Sequence, residues 1–246
     1  MSLGSTAIVH TGNEILHSVG GSLHERPDAN LRTTVMQRIR LEIVSGKAGP
    51  GVVLSVPALA KALGVSTTPV REALLELVRN GLLEPMKNRG FRVLPVSADD
   101  LNDLARMRVH LEALAVSSIQ LERFGDGARL RELAQAIADA ARQSDVQAYV
   151  TNDRTFHLEL ISLAGSRYLT EMIMYLRDNM RIYGLESEVG REQQLRSVDE
   201  HFELVALLSR GDKAGAADLI SRHIRGWVSV VSTNAPVLHA EAKTRE

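Results

Sequence analysis

At 246 residues, with 44 % hydrophobic content and a net charge of −1, the chain suits one large domain or two modest ones. It has no cysteine, which excludes disulfides and thiol chemistry, and no apolar run near the ~18 residues of a membrane helix. The first residues lack a basic start followed by an apolar stretch, so no secretory leader and no membrane partner are expected, and the chain reads as cytoplasmic.

The charge is uneven. Residues 31–95 hold ten Lys/Arg against four Glu, a net +6, which leaves −7 for the rest. A basic module joined to an acidic one predicts that only the first meets a polyanion. Chance patchiness is the plain alternative. Residues 1–30 mix Gly, Ser, His and Asn without a sustained period and read as a flexible tail.

A first helix is expected from Leu31 to Ser45, with Val35, Met36, Ile39 and Ile43 as its stripe and Gly46 ending it. Pro50 and Gly51 make a turn. Ser55 is placed to cap a second helix, with Pro57 in its first turn and Leu59, Ala60 and Leu63 facing inward. Gly64 supplies a tight turn. Thr68 then caps a third helix with Pro69 at its first position, and Val70, Ala73, Leu74, Leu77 and Val78 follow helical spacing until Gly81. Leu82–Met86 and Phe91–Leu94 read as two short strands flanking Lys87–Gly90, a wing. The module covers 31–95, and residues 96–99 form a linker.

A helix-turn-helix reads DNA through the N-terminal residues of its second helix. Here these are Ser66, Thr67, Thr68 and Arg71. The hydroxyls and free helix amides suit phosphate, and Arg71, off the apolar stripe, suits a guanine edge. Asn88 and Arg89 stand at the wing tip, where Gly90 permits close backbone approach. A protein-binding three-helix module with a hairpin is the alternative.

The run Leu59-Ala60, Leu63-Gly64-Val65-Ser66, Thr68-Pro69-Val70-Arg71-Glu72-Ala73-Leu74, Gly81-Leu82 and Asn88-Arg89-Gly90, preceded by Gly46-Lys47, Pro50-Gly51 and Leu54-Ser55, resembles the winged helix of GntR-family transcription regulators. Thr67 departs from the family, which usually has Arg there, so no family operator sequence carries over.

From Asp100 onwards no strand pattern occurs. Helices are expected near 100–124, 129–143, 146–164, 167–185, 192–209 and 212–232, punctuated by Gly125–Gly127, Gly165, Gly190 and Gly211. Residues 100–234 thus read as an all-α antiparallel bundle, and 235–246 as a frayed tail. The fold class is mainly α, a winged helix-turn-helix followed by about six bundle helices.

Asp153 and His157 are one turn apart on the apolar stripe of one helix, with Tyr149, Leu160 and Ile161. His201 sits among Val198, Phe202, Val205 and Leu208, and His223 among Ile220, Ile224 and Trp227. Buried polar groups need partners. One carboxylate and three imidazoles suit a divalent metal such as zinc, nickel or manganese, and a metal-free polar network is the alternative.

The order Asp-x-x-x-His, His, His resembles the FCD ligand-binding domain of FadR-type GntR regulators over roughly residues 100–232. The resemblance implies Asp153, His157, His201 and His223 as metal ligands, with zinc foremost, and a small organic acid as effector. Arg108 and Glu112 match a family pattern too. Arg108 could fork onto an effector carboxylate or simply pair with Glu112 one turn on. Arg177, Asn179, Arg181 and Tyr183 are further candidates for the effector pocket.

The leading expectation is a homodimeric regulator, acting as a repressor on double-stranded operator DNA and controlled by a small acid. A mononuclear metallohydrolase is the rival class. Against it, no general base stands beside the ligands, and the helical region lacks the paired Glu-x-x-His motifs of a di-iron bundle.

Overall fold

The structure, a computed structural model, describes residues 28–180 and 185–234. The tail of residues 235–246, nearly all of the tail of residues 1–30, and the candidates Arg181 and Tyr183 lie outside the described residues.

Helix α1 (Asp28–Val44) starts three residues before the expected Leu31. It packs Val35, Ile39 and Ile43 against α3, building one hydrophobic core with Leu59, Leu63, Leu74 and Leu77. Strand β1 (Val53–Leu54) precedes α2 (Val56–Leu63), which Gly64 ends in the left-handed conformation at φ 66°. Helix α3 (Thr67–Arg79) follows, then β2 (Leu83–Met86) and β3 (Gly90–Val93).

Two expectations change here. The residue that opens α3 is Ser66, extended at φ −70° and ψ 165°, not Thr68. Pro69 falls in the first turn, where its missing N–H has no intrahelical acceptor to lose. The sheet also has three strands in the order β1-β3-β2, all antiparallel, with Leu54 opposite Phe91 and Met86 opposite Gly90. Two residues are too few for alternation to reveal, so β1 is visible only through its partner.

The helical part contains α4 (Ala98–Ser117), the short α5 (Leu121–Phe124), α6 (Ala128–Arg142), α7 (Val146–Ser162), α8 (Arg167–Asn179), α9 (Glu188–Ser209) and α10 (Lys213–Asn234). Helix α10 lies along α4, α6 packs on α7, and α9 contacts both α6 and α10. Side-chain caps start several of them. Ser97 and Asp100 form a capping box at α4, Asp145 accepts from Ala148 N (2.9 Å) at α7, and Ser187 accepts from Gly190 N (3.0 Å) at α9.

The expected 100–124 helix is therefore broken. Ile119 drops fully into the core, Ser118 Oγ donates back to Leu114 O (2.7 Å), and Gln120 opens α5. The expected 167–185 helix stops at Asn179, because Met180 turns extended and buries its side chain. Gly190 is not a break but lies inside the first turn of α9.

Candidate functional site

Helix α7 delivers Asp153 and His157 from consecutive turns, α9 delivers His201 and α10 delivers His223. Each helix must bury its apolar stripe, so the polar residues set into those stripes meet at one point. One ligand-type atom from each of the four lies within 4.8 Å of the others, and the three histidines are buried. His157 Nε2 and His201 Nε2 are 3.2 Å apart, and Asp153 Oδ1 is 3.3 Å from His201 Nε2 and 3.6 Å from His157 Nε2. Two atoms each bonded to one ion at ~2.1 Å stand about 3–3.5 Å apart, so the donor set fits a divalent cation.

The protonation states agree. Burial, then Arg177, holds the His157 imidazolium well below its ordinary pKa, and burial lowers His201 in the same way. Both rings are neutral near pH 7, with lone pairs to offer. Burial would raise the Asp153 carboxyl, but His157, His201 and Arg177 together hold it well below the carboxylate range. His223 Nδ1 lies 2.8 Å from Glu200 Oε2. Donating Nδ1–H to that carboxylate leaves Nε2 as the acceptor facing the centre.

A second shell of charge surrounds the cluster. Glu112, fully buried on α4, accepts from Arg108 Nε (2.8 Å) and from Arg177 Nη1 (3.0 and 3.2 Å). Burial would raise its carboxyl, but Arg108 and Arg177 bring it down to about 2. Arg177 Nη2 donates to Asp153 Oδ2 (2.8 Å), so a single guanidinium bridges the cluster's carboxylate and Glu112. Arg108 is therefore paired with Glu112, as the simpler expectation had it. It also lines a cavity of about 300 Å³ that reaches Asp153 and Arg177.

Asn179 is not brought to this cavity. Its amide donates to Tyr175 O (2.9 Å), and its side chain lies beside Gly81 of the winged module.

In the winged module, Ser66, Thr67, Thr68 and Arg71 are all exposed at the start of α3. The Ser66 hydroxyl makes no capping bond. Asn88 (φ 58°) and Arg89 form the exposed turn of the wing. Gly90 has a reason other than the expected one. At φ 114° an added Cβ would overlap the Leu54 carbonyl oxygen, so glycine serves the pairing of β3 with β1.

The profile described as bacterial regulatory proteins of the gntR family matches residues 31–93, and that of the FCD domain matches 103–226. The HTH-type regulator BphR of Paraburkholderia xenovorans is 30 % identical over 220 residues, covering 83 % of this chain and 88 % of that protein. The chain belongs to the GntR family. The regulator McbR of Escherichia coli is 26 % identical over 205 residues, covering 82 % of this chain and 93 % of McbR. The repressor GlaR of the same species is 27 % identical over 203 residues, 78 % of this chain and 92 % of GlaR. A solved structure of McbR superimposes with a TM-score of 0.73, covering 82 % of this chain and 97 % of that one.

Family membership makes this chain a DNA-binding transcription regulator with an FCD ligand-binding domain, not an enzyme. The metallohydrolase reading falls with it. Among the described residues no helix is long and apolar enough to cross a membrane.

Four residues that matter were missed in the sequence. Glu200 meets His223 across two helices, with no spacing to announce it. Asp178 on α8 accepts from Arg154 of α7 (2.7 and 2.9 Å) and from Arg40 of α1, tying the winged module to the bundle. All three charges lie off their helices' expected stripes, so they read as solvated faces.

Proposed function

We propose that the chain is a cytoplasmic, homodimeric repressor whose grip on operator DNA is controlled by a small organic acid bound beside a divalent metal, zinc foremost. Asp153, His157, His201 and His223 hold the ion. The single observation that carries this is the convergence of four ligand-type atoms, one of them from Asp153, which also lines a cavity walled by arginines. When bound, the ion supplies a Lewis-acidic anchor for a carboxylate.

The protein's own groups do the rest. Glu200 orients His223. Arg108 and Arg177, held by Glu112, present guanidinium N–H groups to an entering anion. The start of α3 and the wing meet DNA through Ser66, Thr67, Thr68, Arg71, Asn88, Arg89 and the Gly90 backbone. A homodimer is supported by an exposed apolar face. Met107 (46 %) and Leu114 (54 %) on α4 adjoin Tyr168 (76 %), Met172 (52 %) and Tyr175 (47 %) on the neighbouring α8.

The experiment combines elemental analysis with operator titration. His157→Ala with His223→Ala is expected to lose bound metal while the exposed reading residues stay intact. Arg71→Ala is expected to keep the metal and lose sequence-specific binding. Full metal occupancy in the double variant overturns the ligand set, and retained specificity in Arg71→Ala overturns that role.

A further inference from the structure

The cavity that reaches Asp153 is not enclosed by the bundle alone. One wall is α1 of the DNA-binding module, which contributes Arg38 and Arg40. The bundle adds Arg108, Arg154 and Arg177, against two lining carboxylates, Asp153 and Asp178. Even with Glu112 counted behind Arg108 and Arg177, the wall remains net positive before any metal is added. Glu42 lies one turn from Arg38, but it accepts from Gln147 (2.7 Å), and Lys47 also faces it.

The arginines differ in how fully they are engaged. Arg177 is shared between Glu112 and Asp153. Arg40 and Arg154 share Asp178. Arg38 has no carboxylate within ion-pair distance among the described residues and feels only Glu42 along its helix. The uncharged lining is mixed, apolar from Leu41, Val44, Val150 and Met180, whose Sδ accepts from Arg108 Nη1 (3.0 Å), and polar from Thr34, Gln37, Thr151 and Thr155. One pair of arginines from the bundle, Arg108 and Arg177, and one from α1, Arg38 and Arg40, in a single partly apolar cavity are complementary to two carboxylates joined by a short chain of methylenes.

Resting on the acid-effector reading, we infer that the acid is a short aliphatic dicarboxylate that spans the two domains. One carboxylate sits at the Arg108–Arg177 end beside Asp153. The other is received by Arg38 and competes with Asp178 for Arg40. That competition is the coupling step. Asp178 ties α1 to α7 through Arg40 and Arg154, and a second carboxylate on Arg40 loosens this tie where the winged module is held. A monocarboxylate fills one end and leaves the tie intact.

The test uses full-length, metal-loaded protein and matched probes. Glutarate is compared with pentanoate, which has a methyl where glutarate has its second carboxylate, and succinate and adipate with butanoate and hexanoate. Titration calorimetry reads affinity, and operator release reads response. The best dicarboxylate is expected to bind roughly ten- to a hundredfold tighter than its matched monoacid, the effect of one charge-assisted contact. Arg38→Gln is expected to erase that difference, to leave monoacid binding, metal content and acid-free operator affinity unchanged, and to abolish release by the dicarboxylate.

Equal affinity for the two series overturns this inference and leaves the acid-effector reading standing. Equal weakening of both series by Arg38→Gln also overturns it, since the arginine then supports the pocket without reading the second charge. If neither series binds at millimolar concentration, both readings fall.

Discussion

Glu112 shows how a single buried carboxylate can organise a site, by holding two arginines and standing 3.8 Å from the His157 ring. It is fully buried, and chiefly the guanidiniums of Arg108 and Arg177, with the His157 ring close by, make its charge tolerable. Its folded pKa of about 2 lies below the ordinary carboxylate value. A depressed carboxylate contributes stability that is complete above the unfolded pKa and is lost as pH falls through the folded one. With metal chelated, Glu112→Gln is therefore expected to cost about 3 kcal/mol in urea unfolding near neutral pH. The gap between variant and parent should narrow steadily from about pH 4.5 towards pH 2. A gap independent of pH would mean that shape, not charge, is what Glu112 supplies. Glu200 acts at one remove from the centre. Removing such an outer carboxylate typically weakens metal binding about 10–100-fold. Glu200→Gln should show that loss in a chelator competition while still holding one equivalent of metal when the ion is in excess.

At the scale of elements, the winged module depends on a sheet too short to announce itself. Strand β1 contributes two residues, and its partner β3 accepts them only because position 90 lacks a Cβ. Gly90→Ala combines an overlap with the Leu54 carbonyl and a φ of 114° that L side chains avoid. A loss of about 2 kcal/mol or more is expected. Calorimetry should show it in the winged module, with the helical bundle unmoved; a uniform shift of both would mean that the two modules unfold as one. The start of α3 illustrates a smaller correction. Capping chemistry marked Thr68, yet Ser66 adopts the extended conformation, and so three exposed hydroxyl residues stand at the helix N-terminus. That arrangement brings free amides and hydroxyls to one anion-binding end.

In the molecule as a whole, two cores are joined through contacts that include a charged cluster. Asp178 faces arginines from both modules, and the cavity beside it has walls from both. An allosteric coupling of about 1–3 kcal/mol is the usual size of such a switch, comparable to one such ion pair. The proposed homodimer would use the exposed apolar residues of α4 and α8. Leu114→Glu with Met172→Glu should yield monomers in sedimentation velocity, keep the metal, and weaken operator binding by removing the second half-site. Sedimentation as a dimer would move the interface elsewhere.

Much of this was legible in residue order. Helical spacing and turn residues located the DNA-reading module, because Gly64, Pro69 and the stripe from Val70 to Leu77 obey local rules. The meeting of Asp153, His157, His201 and His223 was legible because polar residues on apolar stripes must be buried and must find one another. Arginine pairing was half legible, since Arg108 and Glu112 are one turn apart. What remained hidden was every relation between residues far apart in the chain. The sequence does not say that Glu200 faces His223, that Gly90 serves Leu54, that Asn179 turns towards Gly81, or that Arg40 crosses to Asp178. Periodicity reports which face of a helix is apolar, and so by itself it determined most of the helices, the two modules and the candidate cluster of Asp153, His157, His201 and His223. It carries no information about which polar face meets which. That is decided when helices dock, and docking alone placed the carboxylates among the arginines and opened the cavity between the modules.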